Sequence, residues 1–174
     1  MKTTNYHRFF LKKISSLLYN KTISSLIMVS DENGELIDNV SFFEVDYGGV
    51  VGFYINGANP LISTNLINEF DDFNLYSLYS VLSESRSGDF IPFKVEFIKV
   101  FFHSEYNEAF SIFLSSADFS SSILIVFSTD EIHAYINCSE RDLVKVIKEH
   151  LTQFEDVDFF TCKIDIGDEE WFCV

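Results

Sequence analysis

The stretch from Ser121 to Phe154 constrains the fold most, because two strand patterns and one helix pattern follow each other there. Ile123 to Phe127 is a short apolar run rich in β-branched residues, which is typical of a strand covered on both faces. Residues 132–136 alternate between apolar and polar side chains, the period of a strand with one solvated face. Ser139 with Asp142 three residues later marks a helix start. The stretch predicts two paired strands followed by a helix that lies back on the sheet. The apolar residues that recur at helical spacing in this helix are Leu143, Val144, Ile147, Leu151 and Phe154.

Residues 5–20 have the pattern of an amphipathic helix with Arg8, Lys12 and Lys13 away from its apolar face. We interpret it as a helix that packs on its own domain and leaves a solvated basic side. The alternative is a helix that binds a membrane surface or a partner. The apolar face consists of Tyr6, Phe10, Ile14, Leu17 and Leu18.

The segments Thr22–Val29, Leu36–Tyr47 and Val50–Ile55 are separated by Asn-Gly and Gly-Gly turns, which predicts an antiparallel meander. From Leu61 to Ser85 the apolar residues recur at intervals that fit a helix, so we expect a middle helical segment, broken into two short helices near Asp71.

Further strands are expected at Pro92–Phe102, Ala109–Leu114 and Phe159–Ile166, the last of which would close the sheet. A chain of 174 residues is long enough for one domain with a core and short for two. The predicted fold class is therefore α+β: one domain over residues 1–174, with a largely antiparallel β-sheet. An N-terminal helix, a middle helical segment and a C-terminal helix would pack on this sheet.

The cysteines are Cys138, Cys162 and Cys173, an odd number without a C-x-x-C pair. This pattern argues against a disulfide framework and fits a reducing compartment. Lysines interrupt the N-terminal apolar runs, which argues against a signal peptide, and no run reaches the ~18 apolar residues that a membrane span needs. We expect a soluble, cytoplasmic protein.

Charge is distributed unevenly along the chain. The first 30 residues hold 5 of the 12 Lys and Arg and no carboxylate, which leaves 7 basic residues against all 27 Asp and Glu in the remainder. That remainder therefore carries a net charge of about −20, within a whole-chain charge of −15. Such a surface repels nucleic acid and anionic lipid and attracts basic proteins.

Motifs of known chemistry are missing from the sequence. His133 and Cys138 are five residues apart with no second close pair, so we predict no metal and no cofactor. A thiol near a helix N-terminus can have a lowered pKa, which allows the hypothesis of a nucleophilic Cys138 assisted by His133. The alternative is a half-buried cysteine beside a helix cap. Because neither G-x-S-x-G nor H-E-x-x-H occurs, we predict that the protein is not an enzyme.

Acidic residues near aromatic ones on the late strands form the strongest remaining signal. Interface hot spots favour Trp and Tyr, and acidic rims speed the capture of basic partners. We therefore predict a partner-binding surface there, with a solvated acidic rim as the alternative. Its residues are Tyr135, Asp156, Asp158, Asp165, Asp168, Glu169, Glu170 and Trp171.

In overall character the chain resembles the immunity proteins of bacterial polymorphic toxin systems, including contact-dependent growth inhibition. The likeness lies in the acidity after residue 30, the lack of a catalytic constellation and the lack of a secretion signal. The resemblance implies that the protein binds a cognate toxin domain, commonly a basic nuclease, and covers its active site.

Two other functions remain open at this point. One is a small enzyme with an unrecognised site near His133 and Cys138. The other is a structural or adaptor subunit that oligomerises, for example as a homodimer, through an apolar sheet face. The sequence identifies neither the toxin nor the face that binds it.

Overall fold

The computed structural model describes residues 4–31, 33–46, 48–55, 60–64, 83–86, 92–104, 108–150, 159–165 and 170–174. Within these ranges the chain forms two antiparallel sheets of six strands each and two α-helices. The first sheet contains β1 (Thr22–Ser30), β2 (Val40–Val45), β3 (Gly49–Tyr54), β4 (Leu61–Thr64), β5 (Ser83–Arg86) and β6 (Phe93–Lys94). The second contains β7 (Phe97–His103), β8 (Ala109–Ser115), β9 (Ser122–Phe127), β10 (Ile132–Ile136), β11 (Phe159–Ile164) and β12 (Phe172–Cys173). The helices are α1 (Asn5–Leu18) and α2 (Leu143–His150), and a 3-10 turn at Glu140–Asp142 precedes α2.

The two sheets are built on the same strand order. The first runs β4-β3-β2-β1-β5, with β6 also paired to β1, and the second runs β10-β9-β8-β7-β11-β12. In each sheet a meander of four strands is followed by a fifth strand that pairs antiparallel with the first strand of the meander. The two halves of the chain therefore repeat one topology.

The main core lies between the two sheets. Phe43 and Phe53 from the first sheet and Phe102 from the second are among its fully buried side chains. A second cluster, the outer cluster, lies on the other face of the second sheet, where Leu143 and Ile147 of α2 cover Phe113 and its neighbours. A third, smaller cluster around Phe42 lies on the other face of the first sheet.

Helix α1 packs on its own domain, as the apolar spacing predicts. Phe10, Leu11, Ile14 and Leu18 all belong to the main core. Burial also reaches His7, which the sequence analysis did not anticipate: its ring centroid lies 4.6 Å from that of Phe102. The helix begins with a capping box, in which the Thr4 hydroxyl accepts from the amide of His7 and the amide of Thr4 donates to His7 Nδ1.

The expectation of one sheet and of a middle helical segment from Leu61 to Ser85 is corrected in part. Leu61–Thr64 and Ser83–Arg86 are strands, paired with β3 and β1 respectively. Residues 65–82 lie outside the described residues, so the middle helical segment stays a prediction. Short apolar runs fit either secondary structure, and pairing with neighbouring strands decides between them.

The predicted long strand Pro92–Phe102 is divided between the two sheets. β6 pairs with β1 in the first sheet, whereas β7 pairs with β8 and β11 in the second. The chain changes sheet at Val95, whose amide donates to the carbonyl of Lys21 over 2.8 Å, and Glu96, whose amide donates to the carbonyl of Ser115 over 3.0 Å.

Two strand predictions are confirmed, and the expectation about cysteines is wrong. Every residue of β9 is buried, as the apolar run predicts, and β11 alternates between half-buried and buried residues. Cys162 and Cys173, however, form a disulfide between β11 and β12. The amides of Thr161 and Val174 each donate to the other residue's carbonyl over 2.9 Å, so the cysteines beside them form a close, non-hydrogen-bonded pair. This register places the two side chains together.

Candidate functional site

The predicted partner-binding residues that the structure describes fall into two groups, near opposite edges of the second sheet. Tyr135 is on the edge strand β10, whereas Glu170 and Trp171 lead into the other edge strand, β12. Five strand spacings of about 4.8 Å, or roughly 24 Å along the sheet, separate these edges. Four of the predicted residues lie outside the described residues: Asp156, Asp158, Asp168 and Glu169. The structure therefore does not bring Tyr135 and Trp171 together, and the binding role of each group stays a prediction.

Of the predicted residues near β12, Trp171 and Asp165 make contacts within the protein. The indole of Trp171 packs against the main core, and its Nε1 is buried without a hydrogen-bond partner among the described residues. Lys163 donates to the Asp165 carboxylate over 3.2 Å, and the Tyr19 hydroxyl donates to the Asp165 carbonyl over 2.7 Å. Glu170 is exposed. These contacts give Trp171 and Asp165 a role in packing.

At the opposite edge, β10 pairs with β9 in an unbroken register from Ile132–Phe127 to Ile136–Ile123. The Asn137 amide donates to the Ser122 carbonyl over 2.7 Å, and the Ser128 amide donates to the Glu131 carbonyl over 3.0 Å. Because hydrogen-bonded pairs alternate along an antiparallel ladder, residues 133 and 135 also bond to β9. The backbone groups of Ile132, Ala134 and Ile136 therefore point away from the sheet. We call this row of groups the β10 edge.

The two faces of β10 have different chemistry. The half-buried side chains of Ile132, Ala134 and Ile136 contact the main core. Tyr135 contacts the outer cluster, on the face that α2 covers. The alternation that predicts a strand is therefore confirmed, but the polar face is partly covered by the helix.

Tyr135 and His133 meet the last residue of α2, His150. The Tyr135 hydroxyl is hydrogen-bonded to His150 Nε2, and the His133 ring stacks on the His150 ring with centroids 4.1 Å apart and planes 25° apart. Nε2 of His133 lies 3.0 Å from a carboxylate oxygen of Glu131. The sequence gives little signal for this cluster, because His150 lies 15 residues from Tyr135 and only the packing of α2 brings them together.

Burial and neighbouring charges set the protonation of this cluster. Partial burial, followed by the charge of His133, lowers the pKa of His150, although Glu149 and Glu131 oppose this. Burial, followed by the charge of Glu149, raises the pKa of the Tyr135 phenol. Near neutral pH the phenol therefore keeps its proton and donates it in a hydrogen bond to a neutral His150 imidazole.

Cys138 follows β10 and contacts the outer cluster. Burial, followed by the charge of Asp142, raises the pKa of its thiol. A raised pKa leaves little thiolate near neutral pH, and this opposes the activation that the nucleophile hypothesis requires. Within the described ranges, no three His, Cys, Asp or Glu side chains are grouped so as to hold a metal ion.

Two acidic loops meet at the start of β10. The β1–β2 connection contributes Asp31, Glu35 and Asp38, and the β9–β10 turn contributes Asp130 and Glu131. The Ile132 amide donates to the Asp38 carbonyl over 2.6 Å, which joins the two loops. Neither 31–46 nor 128–131 contains a Lys or Arg. We call these five residues the acidic end.

One carboxylate of the acidic end also shapes its loop. Asp31 Oδ1 accepts from the amides of Asn33 and Glu35 over 2.8 and 2.9 Å. The hydrogen bond from Glu35 is the largest cause that lowers the pKa of Asp31. The loop thus holds a charged carboxylate in place over a wide pH range.

Comparisons with known proteins give no relative. No protein-family model, no curated protein and no solved structure matches the chain. None of the helices in the described ranges is long and apolar enough to cross a membrane.

Proposed function

We propose that this chain is an immunity-type inhibitor that binds a basic toxin domain, such as a nuclease, and covers its active site. The observation that carries the proposal is the acidic end, where two loops without basic residues meet beside an open strand edge. Carboxylates gathered in this way attract a positively charged surface and orient it before contact. The binding itself forms and breaks no covalent bond.

The basic residues near the N-terminus are compatible with an acidic binding face. Lys13 donates to the Ile62 carbonyl over 2.8 Å, and Lys21 lies 2.7 Å from the Asp46 carboxylate. Burial lowers the pKa of Lys13, as expected for an amine that packs against its own domain. Both side chains are used for contacts within the protein, which supports a packing role for this part of the chain.

The cytoplasmic location expected from the sequence stays a prediction, and one feature of the structure opposes it. The Cys162–Cys173 disulfide argues against a reducing compartment, because such bonds persist mainly under oxidising conditions.

The test is capture of a basic toxin domain encoded next to the gene for this chain. We expect a one-to-one complex whose association rate falls steeply as the salt concentration rises, because salt screens the attraction between the two surfaces. Stopped-flow fluorescence measures this rate. A salt-independent rate, or no complex with such a domain, would contradict the proposal.

A pair of charge variants locates the attraction. Replacing Asp130 and Glu131 with Asn and Gln should slow association by about threefold to tenfold, because two charges of the acidic end are lost. The matched variant replaces Asp118 and Glu170, at the other end of the second sheet, and removes the same charge. If the matched variant is the slower of the two, binding occurs at that end of the second sheet, where Glu170 and Trp171 were predicted to act.

A further inference from the structure

We infer that the β10 edge binds an extended, basic segment of the partner, which adds to the second sheet as a further strand. This inference rests on the proposed function and deepens it, because it names the surface and the form in which the partner binds. Addition of a strand to an exposed edge gives affinity through backbone hydrogen bonds and specificity through alternate side chains.

The β10 edge has backbone groups available for such a strand. The N–H and C=O groups of Ala134 and Ile136 point away from β9, and neither residue has a backbone hydrogen bond on that side within the described part of the chain. The Ile132 amide already donates to the Asp38 carbonyl, which fixes one end of the edge. Asn137, with a φ of 58°, ends the strand at the other end.

The edge strands β4 and β12 are protected against the addition of a strand, whereas β10 is open. β4 occupies the equivalent place in the first sheet, and there Lys13 Nζ donates to the carbonyl of Ile62. Hydrogen-bonded pairs alternate from β2 to β3 and from β3 to β4, and this alternation makes Leu61 and Ser63 the residues of β4 that bond to β3. The carbonyl of Ile62, which lies between them, therefore points away from the sheet. β12 is only two residues long. Lysines and short strands are common means of preventing edge pairing, and the five residues of β10 contain no Lys, no Pro and no bulge.

The charge near β10 and the pattern of its side chains indicate which kind of segment would bind there. The acidic end lies at the start of β10, so the segment should carry Lys or Arg. On one face a new strand would lie against the half-buried Ile132, Ala134 and Ile136, so apolar residues should alternate with the basic ones. A second copy of this chain, with the same net charge of −15, would be repelled instead.

The first experiment uses a synthetic peptide of alternating Lys and Val, about eight residues long, which is enough to span the five residues of β10. Amide hydrogen exchange of the full-length protein is followed by NMR. In the free protein the amides of Ala134 and Ile136 should exchange fast. A saturating concentration of the peptide should slow them by about tenfold or more, because they then donate to the added strand.

Matched peptides and variants separate this contact from non-specific attraction. The same peptide with N-methylated valines keeps its charge but loses backbone donors, and it should give no protection at Ala134 or Ile136. Replacing Ala134 with Pro removes one outward N–H, and Pro is tolerated in an edge strand at such a position. This variant should bind the unmodified peptide about tenfold more weakly, as expected when one backbone hydrogen bond is lost. Ala134→Ser keeps the N–H and should bind as the wild type does.

Several outcomes would overturn the inference. Equal protection by the methylated peptide, or protection elsewhere than β10, would show that charge alone binds the peptide. Protection of Ala134 and Ile136 that rises with protein concentration in the absence of peptide would show that a second copy occupies the edge. If a basic toxin domain is captured while both amides stay unprotected, the proposed function stands and this inference fails. Protection by the peptide without capture of any such domain would instead contradict the proposed function.

Discussion

His150 is a side chain whose protonation depends on its neighbours. It ends α2, stacks on His133 and is hydrogen-bonded to Tyr135. Burial and His133 lower its pKa from the ordinary value of 6.5. The neutral imidazole is therefore favoured in the folded protein, and the unfolded chain binds a proton more readily.

This linkage predicts a pH dependence of stability. The contribution of His150 is present above the unfolded pKa of 6.5 and is lost as the pH falls from there through the lower folded value. The free energy of unfolding, measured in urea, should decline in that window, and His150→Gln should reduce the decline. A decline of equal size in the His150 variant would exclude this cause.

Gly52 provides a second prediction at the scale of one residue. It pairs directly with Phe42 across β2 and β3, and a Cβ at Gly52 would overlap the Phe42 ring. Gly52→Ala should therefore lower the free energy of unfolding by about 1–3 kcal/mol, the usual cost of overpacking. In a Phe42→Leu background the same change should cost less, since the smaller side chain leaves room. An equal cost in both backgrounds would assign the effect to the backbone.

Among the described strands, β12 and β6 are each only two residues long, and β12 is joined to its neighbour by a disulfide. Its two residues pair with β11, and Cys173 is joined to Cys162. The exposed Phe172 contributes little burial of its own. The disulfide is therefore the covalent attachment of the described C-terminal residues, beside the packing of Trp171 on the main core and the hydrogen bonds between Thr161 and Val174.

Loss of this bond should be measurable. The bridge closes a loop with a sequence separation of 11, for which chain entropy gives a stabilisation of about 2–3 kcal/mol. Cys173→Ser should lose this amount in urea unfolding, whereas Cys138→Ser, at a free cysteine, should change stability much less. Added reductant should lower the free energy of unfolding of the wild type to that of the Cys173→Ser variant. Equal values would assign the loss to the disulfide. No effect of reductant on the wild type would show that the bond does not form in solution.

Local sequence patterns predicted the elements whose own apolar residues show which faces are buried. α1 and β9 were predictable because periodicity and apolar runs follow directly from packing. β4 and β5 were not, since a strand of four residues is defined by its partner and not by its own sequence. The disulfide also escaped prediction, because it depends on the register between β11 and β12.

At the scale of the whole molecule, the main core joins both sheets and α1. This predicts a single cooperative unfolding transition, although the strand order repeats. The fluorescence of Trp171, the one tryptophan in the chain, reports on the second sheet, and the NMR signal of the Gly52 amide reports on the first. The two midpoints in urea should coincide. Separate midpoints would show that the halves unfold as independent units.

The sequence also left the candidate site incomplete at this scale. It suggested acidity and aromatic residues on the late strands, and Tyr135 and Trp171 were grouped on that basis, but the sheet separates them. The acidic end could not be predicted, because it needs the Ile132–Asp38 contact between two sheets. Both failures come from the order of strands, which short-range patterns do not encode.

The hydrogen bond from Lys13 to Ile62 has a consequence for valency. Because the two sheets share one strand order, β4 and β10 are equivalent edge strands. If both edges were open, one molecule could bind two partners by strand addition. Lys13 of α1 donates to the β4 edge, so of these two equivalent edges within the described residues only the β10 edge stays open. If a partner adds a strand as we infer, this pair of edges would hold one partner and the complex would not extend through β4.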